Sequence, residues 1–157
     1  MAKKLTASEL NKMSAKFNNK TTIRILDGEF EVSINDVFRD TDIDNVVLNY
    51  LTVLQEVHRK EQITDELLKD TVSLLNTFVL REFTDLPIPK KNDITSLIKV
   101  TKNLMDNGIT NEVLNHFPAD QLVKVETKLK EAQKGIGKVM GDLALTSTVK
   151  SGTENED

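Results

Sequence analysis

Asp40, Asp42 and Asp44, at alternate positions, are the residues that come nearest to a metal site in this chain. Their spacing is that of the opening of a calcium loop, where carboxylates at the first, third and fifth positions surround the ion. Such a loop also needs a glycine at its sixth position and a bidentate glutamate at its twelfth. Asn45 and Leu51 occupy those positions. The same carboxylates suit the first turn of a helix, whose N-terminal partial positive charge favours acids. Gly135-Ile136-Gly137-Lys138 has parts of a phosphate-binding loop, but Ala132 replaces the first glycine and Val139 the magnesium-ligating hydroxyl. A weakened helix end accounts for these glycines.

His58 and His116 are the only histidines, and neither has a second histidine at ligand spacing. Surface or capping positions are expected for both. The absence of cysteine excludes thiolate zinc sites, cysteine nucleophiles and a disulfide framework together. No Gly-x-Ser-x-Gly elbow presents a serine nucleophile. Pairs of carboxylates working as general acid and base leave no spacing signature, and a hydrolase of that kind predicts a concave polar pocket with raised carboxylate pKa values. No catalytic, metal-binding or cofactor-binding residue is therefore assigned. The expectation is a chain that is not an enzyme and works by binding other proteins, through residues the sequence does not single out.

The chain has 157 residues, enough for one domain with a core of its own. It is 38% hydrophobic and 29% charged with net charge −4, and the apolar residues are clustered and periodic, unlike a disordered chain. Charge is unevenly spread. Lys3, Lys4, Lys12, Lys16, Lys20 and Arg24 face only Glu9 in the first segment, whereas an acidic stretch runs from Asp27 to Asp44. With one aromatic, Phe17, inside the basic arm and a net negative chain, nucleic acid binding is unfavoured. The arm reads as a solvated face or as a segment that docks on acidic residues of its own or a neighbouring subunit. No apolar run reaches the length of a membrane span, and Met-Ala-Lys-Lys does not open a signal peptide. A cytoplasmic protein without membrane contact is expected.

These residues must be positioned by a mainly α fold. Thr6-Ala7-Ser8-Glu9 has the form of a capping box, and Leu10, Met13 and Phe17 follow at helical spacing, predicting a short helix over 7–17. Alternation around Ile23 and Ile25, and around Phe30, Val32 and Ile34, predicts a β-hairpin over about 22–34, turned at Asp27-Gly28 in type I′ geometry. A lone hairpin is marginal in water, so its apolar face must pack on helices or extend a sheet between subunits. Ile43, Val46, Val47, Tyr50, Leu51, Leu54 and Val57 form one stripe of an amphipathic helix. A second helix opening at Thr64-Asp65-Glu66 is apolar on more than one face, as a central helix is, and ends at Leu86-Pro87. A third, capped by Asn92 or Asp93, carries Ile94, Leu97, Ile98, Thr101, Leu104 and Met105 and stops at Gly108. A short helix over 111–117 and a last one from Pro118 complete the set. Residues 1–145 form a single α-rich domain on this reading, and 146–157 a disordered C-terminal tail. The free edge of the hairpin, the Leu86–Pro89 loop and the apolar residues Val100, Val113 and Val123 are candidates for contact with partners; burial in the core is the simpler expectation for each.

The order of these segments is similar to a known type. Ile23-Arg24-Ile25-Leu26-Asp27-Gly28-Glu29-Phe30-Glu31-Val32 leads to Asp36-Val37-Phe38-Arg39 and an amphipathic helix, then Leu80-Arg81-Glu82-Phe83-Thr84 and Leu104-Met105-Asp106-Asn107-Gly108-Ile109. Over most of residues 5–145 this layout resembles the tail assembly chaperones encoded by phages and prophages of Gram-positive bacteria. The resemblance implies a non-enzymatic protein of the host cytoplasm that oligomerises and coats the long tape measure protein while tail tube subunits polymerise around it. A structural phage component, such as a head–tail connector or minor tail protein, and a nucleic-acid-binding regulator are the alternatives. The resemblance carries over no site residue.

Overall fold

The computed structural model describes the backbone of residues 2–60 and 65–151. Six helices and one hairpin follow the predicted order: α1 Ala7–Ser14, a 3-10 turn Ala15–Asn18, β1 Lys20–Ile25, β2 Phe30–Asn35, α2 Asp40–Lys60, α3 Asp65–Phe83, α4 Ile94–Asp106, α5 Ile109–Leu114 and α6 Ala119–Ser151. Among the described residues no helix is long and apolar enough to cross a membrane.

Thr6 caps α1, its Oγ1 accepting from the Glu9 N–H at 3.2 Å, while the Glu9 carboxylate pairs with Lys3 at 3.1 Å. The strands pair antiparallel from Lys20–Asn35 to Ile25–Phe30, and Ile23, Ile25, Val32 and Ile34 bury the predicted apolar face. At the tip the Leu26 carbonyl accepts from the Glu29 N–H at 3.1 Å, with Asp27 at φ 57° and Gly28 at φ 84°. These are the signs a type I′ turn requires. The loop is nevertheless four residues long, because Leu26 also turns left-handed, at φ 54°.

Helix α3 is central, touching α2, α4 and α5, and α2 lies between α3 and α6. The α2 stripe is wider than predicted: Val53, outside it, is fully buried, because two helices flank α2. The hairpin docks at the end of α3, where Ile34 bridges to Thr84. Ser33 donates its N–H to Asp85 Oδ1 at 2.9 Å and accepts from the Asp85 N–H at 3.2 Å.

Asp93 caps α4, its Oδ2 accepting from the Ser96 N–H at 3.2 Å and the Ser96 hydroxyl at 2.6 Å. Gly108, at φ 73°, stops α4 as predicted and turns the chain straight into α5. That helix therefore starts at Ile109, two residues before its expected start, and gives way at Leu114 to a tightened end in which Phe117 N–H reaches the Leu114 carbonyl at 3.2 Å. Pro118 accepts from the Gln121 N–H at 3.1 Å and opens α6. Helix α6 passes through Gly135, Gly137 and Gly141 and beyond Leu145 to Ser151; glycine weakens a helix by about 1 kcal/mol without ending it as proline does. Residues 152–157 of the expected tail, and Thr64 at the expected start of α3, lie outside the described residues.

A hydroxyl pair crosses the α3–α4 interface. Thr101 donates to the Leu97 carbonyl at 2.7 Å, so the 2.6 Å contact with Thr77 is a donation from Thr77 to Thr101; both residues are buried. Thr101→Val is expected to cost about 1–3 kcal/mol, since it leaves the Thr77 hydroxyl buried without its acceptor. The double variant Thr77→Val/Thr101→Val, which removes both hydroxyls at similar shape, should recover most of that loss in urea denaturation.

Candidate functional site

Helices α2 and α6 run side by side, tied by ion pairs from Lys124 to Asp40 at 3.7 Å and from Lys128 to Asp44 at 3.5 Å. Beside the second pair lies an open, mainly apolar groove of about 470 Å³. Its floor is Val47, Leu48 and Leu51 of α2 with Ala132 of α6, and its rim is Asp44, Lys128 and Glu131. Val47 is buried, but Leu48, one residue and about 100° further round the helix, is 63% exposed. With the partly buried Leu51 and Ala132 beside it, Leu48 leaves a small apolar patch open on the α2–α6 face.

The second apolar surface is the N-terminal arm. Helix α1 contains no buried residue. Leu5, Leu10 and Met13 are 62%, 51% and 59% exposed, and Leu10 and Met13 share one helical face. Among the described residues the arm is fastened at its root: Arg39 donates to Asn18 Oδ1 at 3.0 Å and its guanidinium lies 5.1 Å from the Phe17 ring centre. Lys3 pairs with Glu9 at 3.1 Å within the arm; Arg24 reaches Glu31 of the acidic segment at 3.9 Å, and among the described residues no lysine of the arm does.

A polar hollow of about 620 Å³ lies at the end of α3, lined by Arg81, Glu82, Thr84, Asp85, Leu86, Ile88 and Lys90. Two of its charged groups, Arg81 and Asp85, are engaged in holding the fold. Arg81 donates to the Pro89 and Lys90 carbonyls, both at 3.3 Å, and to Asn92 Oδ1 at 2.9 Å, pinning the Leu86–Asn92 segment to α3. Burial, then the neighbouring Asp42 carboxylate, raises the Glu82 pKa above its ordinary 4.5. A carboxyl whose pKa is raised by folding stabilises the fold below its unfolded pKa, and that contribution is lost as pH rises through the folded value. Glu82→Gln, which keeps a donor toward Asp42 and removes the charge, is thus expected to stabilise the protein at neutral pH. The group is half-exposed, so the gain is about 0.2–1 kcal/mol, and it should vanish below pH 4.5 when melting is followed across pH.

The three aspartates of the calcium pattern do not converge. Asp40 and Asp44 hold α6 through Lys124 and Lys128, while Asp42 faces Glu82. Among the described residues no three His, Cys, Asp or Glu side chains gather as metal ligands would. Gly135–Lys138 lies within α6. His116 Nδ1 donates to the Glu112 carbonyl at 2.9 Å, closing the end of α5; the His58 side chain lies outside the described residues.

Of the proposed contact positions, Val113 is fully buried, Ile88 of the Leu86–Pro89 loop is 6% exposed, and Leu86 and Val100 pack against the core. Val123 is 54% exposed. The outer edge of β2 is occupied by Thr84 and Asp85. Leu48 escaped the sequence reading because it lies off the α2 stripe; an apolar residue out of phase with its helix was the available signal.

A family model described as YomO matches residues 7–157. The SPbeta prophage-derived uncharacterized protein YomO of Bacillus subtilis (strain 168) is 26% identical over 146 residues, covering 93% of this chain and 82% of that protein. No solved structure matches. With the family model spanning nearly the whole sequence, the chain belongs to the YomO family of phage and prophage proteins.

Proposed function

We propose that this protein is a non-enzymatic phage tail assembly chaperone, which holds an amphipathic helical segment of the tape measure protein in the host cytoplasm until tail tube subunits displace it. The observation that carries the reading is the α2–α6 groove, with Leu48 63% exposed above Val47, Leu51 and Ala132. A helix laid in such a groove is held by apolar side chains at i, i+3, i+4 and i+7, the pattern of long helical clients. Membership of a phage family and the order of hairpin and helices support the same role.

Co-expression with the long helical protein encoded in the same gene region is the test. The client should stay soluble and co-purify with the chain, and Leu48→Glu should abolish this while leaving the helical circular dichroism unchanged. Precipitation of the client despite the chaperone would overturn the proposal. Stoichiometric presence of the chain in purified phage particles would replace it with a structural role, and salt-dependent retention on DNA with a regulatory one.

A further inference from the structure

The hairpin has two outer edges, and among the described residues only that of β2 is used. Hydrogen bonds alternate along an antiparallel pair, so every second residue turns its N–H and C=O away from the partner strand. The Asp36 N–H donates to the Asn19 carbonyl at 3.1 Å. With the register of the strands, this directs Thr21, Ile23 and Ile25 toward β2 and Lys20, Thr22 and Arg24 outward. Ser33, which faces outward on β2, is taken up by Asp85. On β1 no described residue bonds to the outward peptide groups of Lys20, Thr22 and Arg24, and all three residues are exposed. The next outward amide, that of Leu26, is closed by Glu112. A free edge of fixed length is left, a template for one added strand.

The side chains along this edge select what can be added. Lys20, Thr22 and Arg24 share the solvent face of β1, while Ile23 between them is buried. Lys20 has no ion pair among the described residues. Arg24 meets Glu31 at 3.9 Å with both side chains well exposed, a pairing worth little, and its five-donor guanidinium has room for a second carboxylate. A second copy is a poor occupant. Two β1 strands paired antiparallel about a two-fold axis at Thr22 would set Lys20 of each opposite Arg24 of the other, and like charges directly opposite destabilise a sheet. A strand with carboxylates at those two positions turns both repulsions into attractions.

We infer that the free edge of β1 receives an extended, acidic segment of a partner protein as a third strand. Two carboxylates four residues apart lie over Lys20 and Arg24, and an apolar side chain sits beside Ile23. Main-chain bonds to the Lys20, Thr22 and Arg24 peptides hold the segment, and the two charges set its register. Glu112, at the Leu26 end, forces the segment to leave the sheet there. No hairpin residue lines the α2–α6 groove, so the inference does not rest on binding of a helical client.

The probe is a capped peptide, Thr-Glu-Val-Thr-Val-Glu-Thr, whose carboxylates are four apart in either strand direction. The full chain should bind it saturably with Kd below about 1 mM, and should bind the same peptide with lysine at both glutamate positions at least tenfold more weakly. Hydrogen exchange should show new protection at the Lys20, Thr22 and Arg24 amides, with those of Thr21 and Ile23, which face β2, unchanged. Thr22→Pro removes one outward N–H and spares the ladder to β2, a place where an edge strand accepts proline. Binding should be lost in this variant while circular dichroism is unchanged. Lys20→Glu/Arg24→Glu should reverse the preference and bind the lysine peptide, a gain that only a folded hairpin can show. Absence of binding, protection at amides other than the outward ones, or equal affinity for the two peptides would each overturn the inference. So would self-association of the chain that Thr22→Pro abolishes, because the edge would then belong to a second copy.

Discussion

Phe38→Ala is expected to cost about 3–5 kcal/mol, the usual loss on truncating a buried phenylalanine, and so to remove a large part of the ~5–15 kcal/mol of a typical domain. Phe38 is fully buried and joins four parts of the fold. Its ring stacks on Phe83 at the end of α3, with centroids 3.7 Å apart and planes 3° from parallel. It meets the Phe117 ring edge-on at 5.1 Å. Its backbone is held as firmly: the N–H donates to Gln121 Oε1 at 2.8 Å, and the carbonyl accepts from Lys124 Nζ at 2.9 Å. The chain leaving the hairpin is thereby tied to α3, to the turn before α6 and to α6 itself. Truncation opens a cavity among rings that cannot collapse without moving those elements, so the cost should fall at the upper end of the range. Urea midpoints measure it. Phe30→Ala is the control: that ring is 55% exposed, and its removal should change stability by no more than about 0.5 kcal/mol.

The parts of this architecture that sequence could reveal are local ones. Alternation at Ile23, Ile25, Val32 and Ile34 announced the strands, Asp27-Gly28 the turn, and Thr6, Asp93, Gly108 and Pro118 the helix boundaries, because each depends on residues within a few positions. The ties that hold the hairpin to the helices were not legible. Gln121 and Lys124 reach Phe38 across 83 and 86 residues, and nothing at either end of such a link depends on its neighbours in sequence. The widened buried face of α2 had the same origin. Val53 is buried because two helices flank α2, and Leu48 is open because it lies off the buried stripe beside α6. The acidic cluster was visible as charge but ambiguous in purpose: two of its members became struts to Lys124 and Lys128 and the third the neighbour of Glu82. The candidate groove, made of residues from two helices distant in sequence, emerges at the level of packing.

Glu112→Ala should show how much one long-range tie is worth. Both carboxylate oxygens of Glu112, in α5, accept from the Leu26 N–H, at 3.1 and 3.2 Å. Leu26 stands at φ 54°, a left-handed conformation that costs a residue with a side chain about 1–2 kcal/mol. The strain is local and its compensation lies 86 residues away. A hydrogen bond to an ionised group contributes about 1.5–3 kcal/mol, enough to offset the backbone cost, so its loss should appear as a comparable drop in stability. The damage should be concentrated at the hairpin tip, because Ile23, Ile25, Val32 and Ile34 still hold the strands on the core. Hydrogen exchange resolved by residue is the appropriate measurement. The Leu26 amide should lose its protection first, while amides in α3, which pack among α2, α4 and α5, exchange as before. Glu112→Gln keeps one carbonyl acceptor without charge and should fall between wild type and Ala. If both variants leave the tip protected, the half-buried Leu26 side chain, and not Glu112, holds the left-handed turn; Leu26→Gly would then open the tip despite relieving the strain.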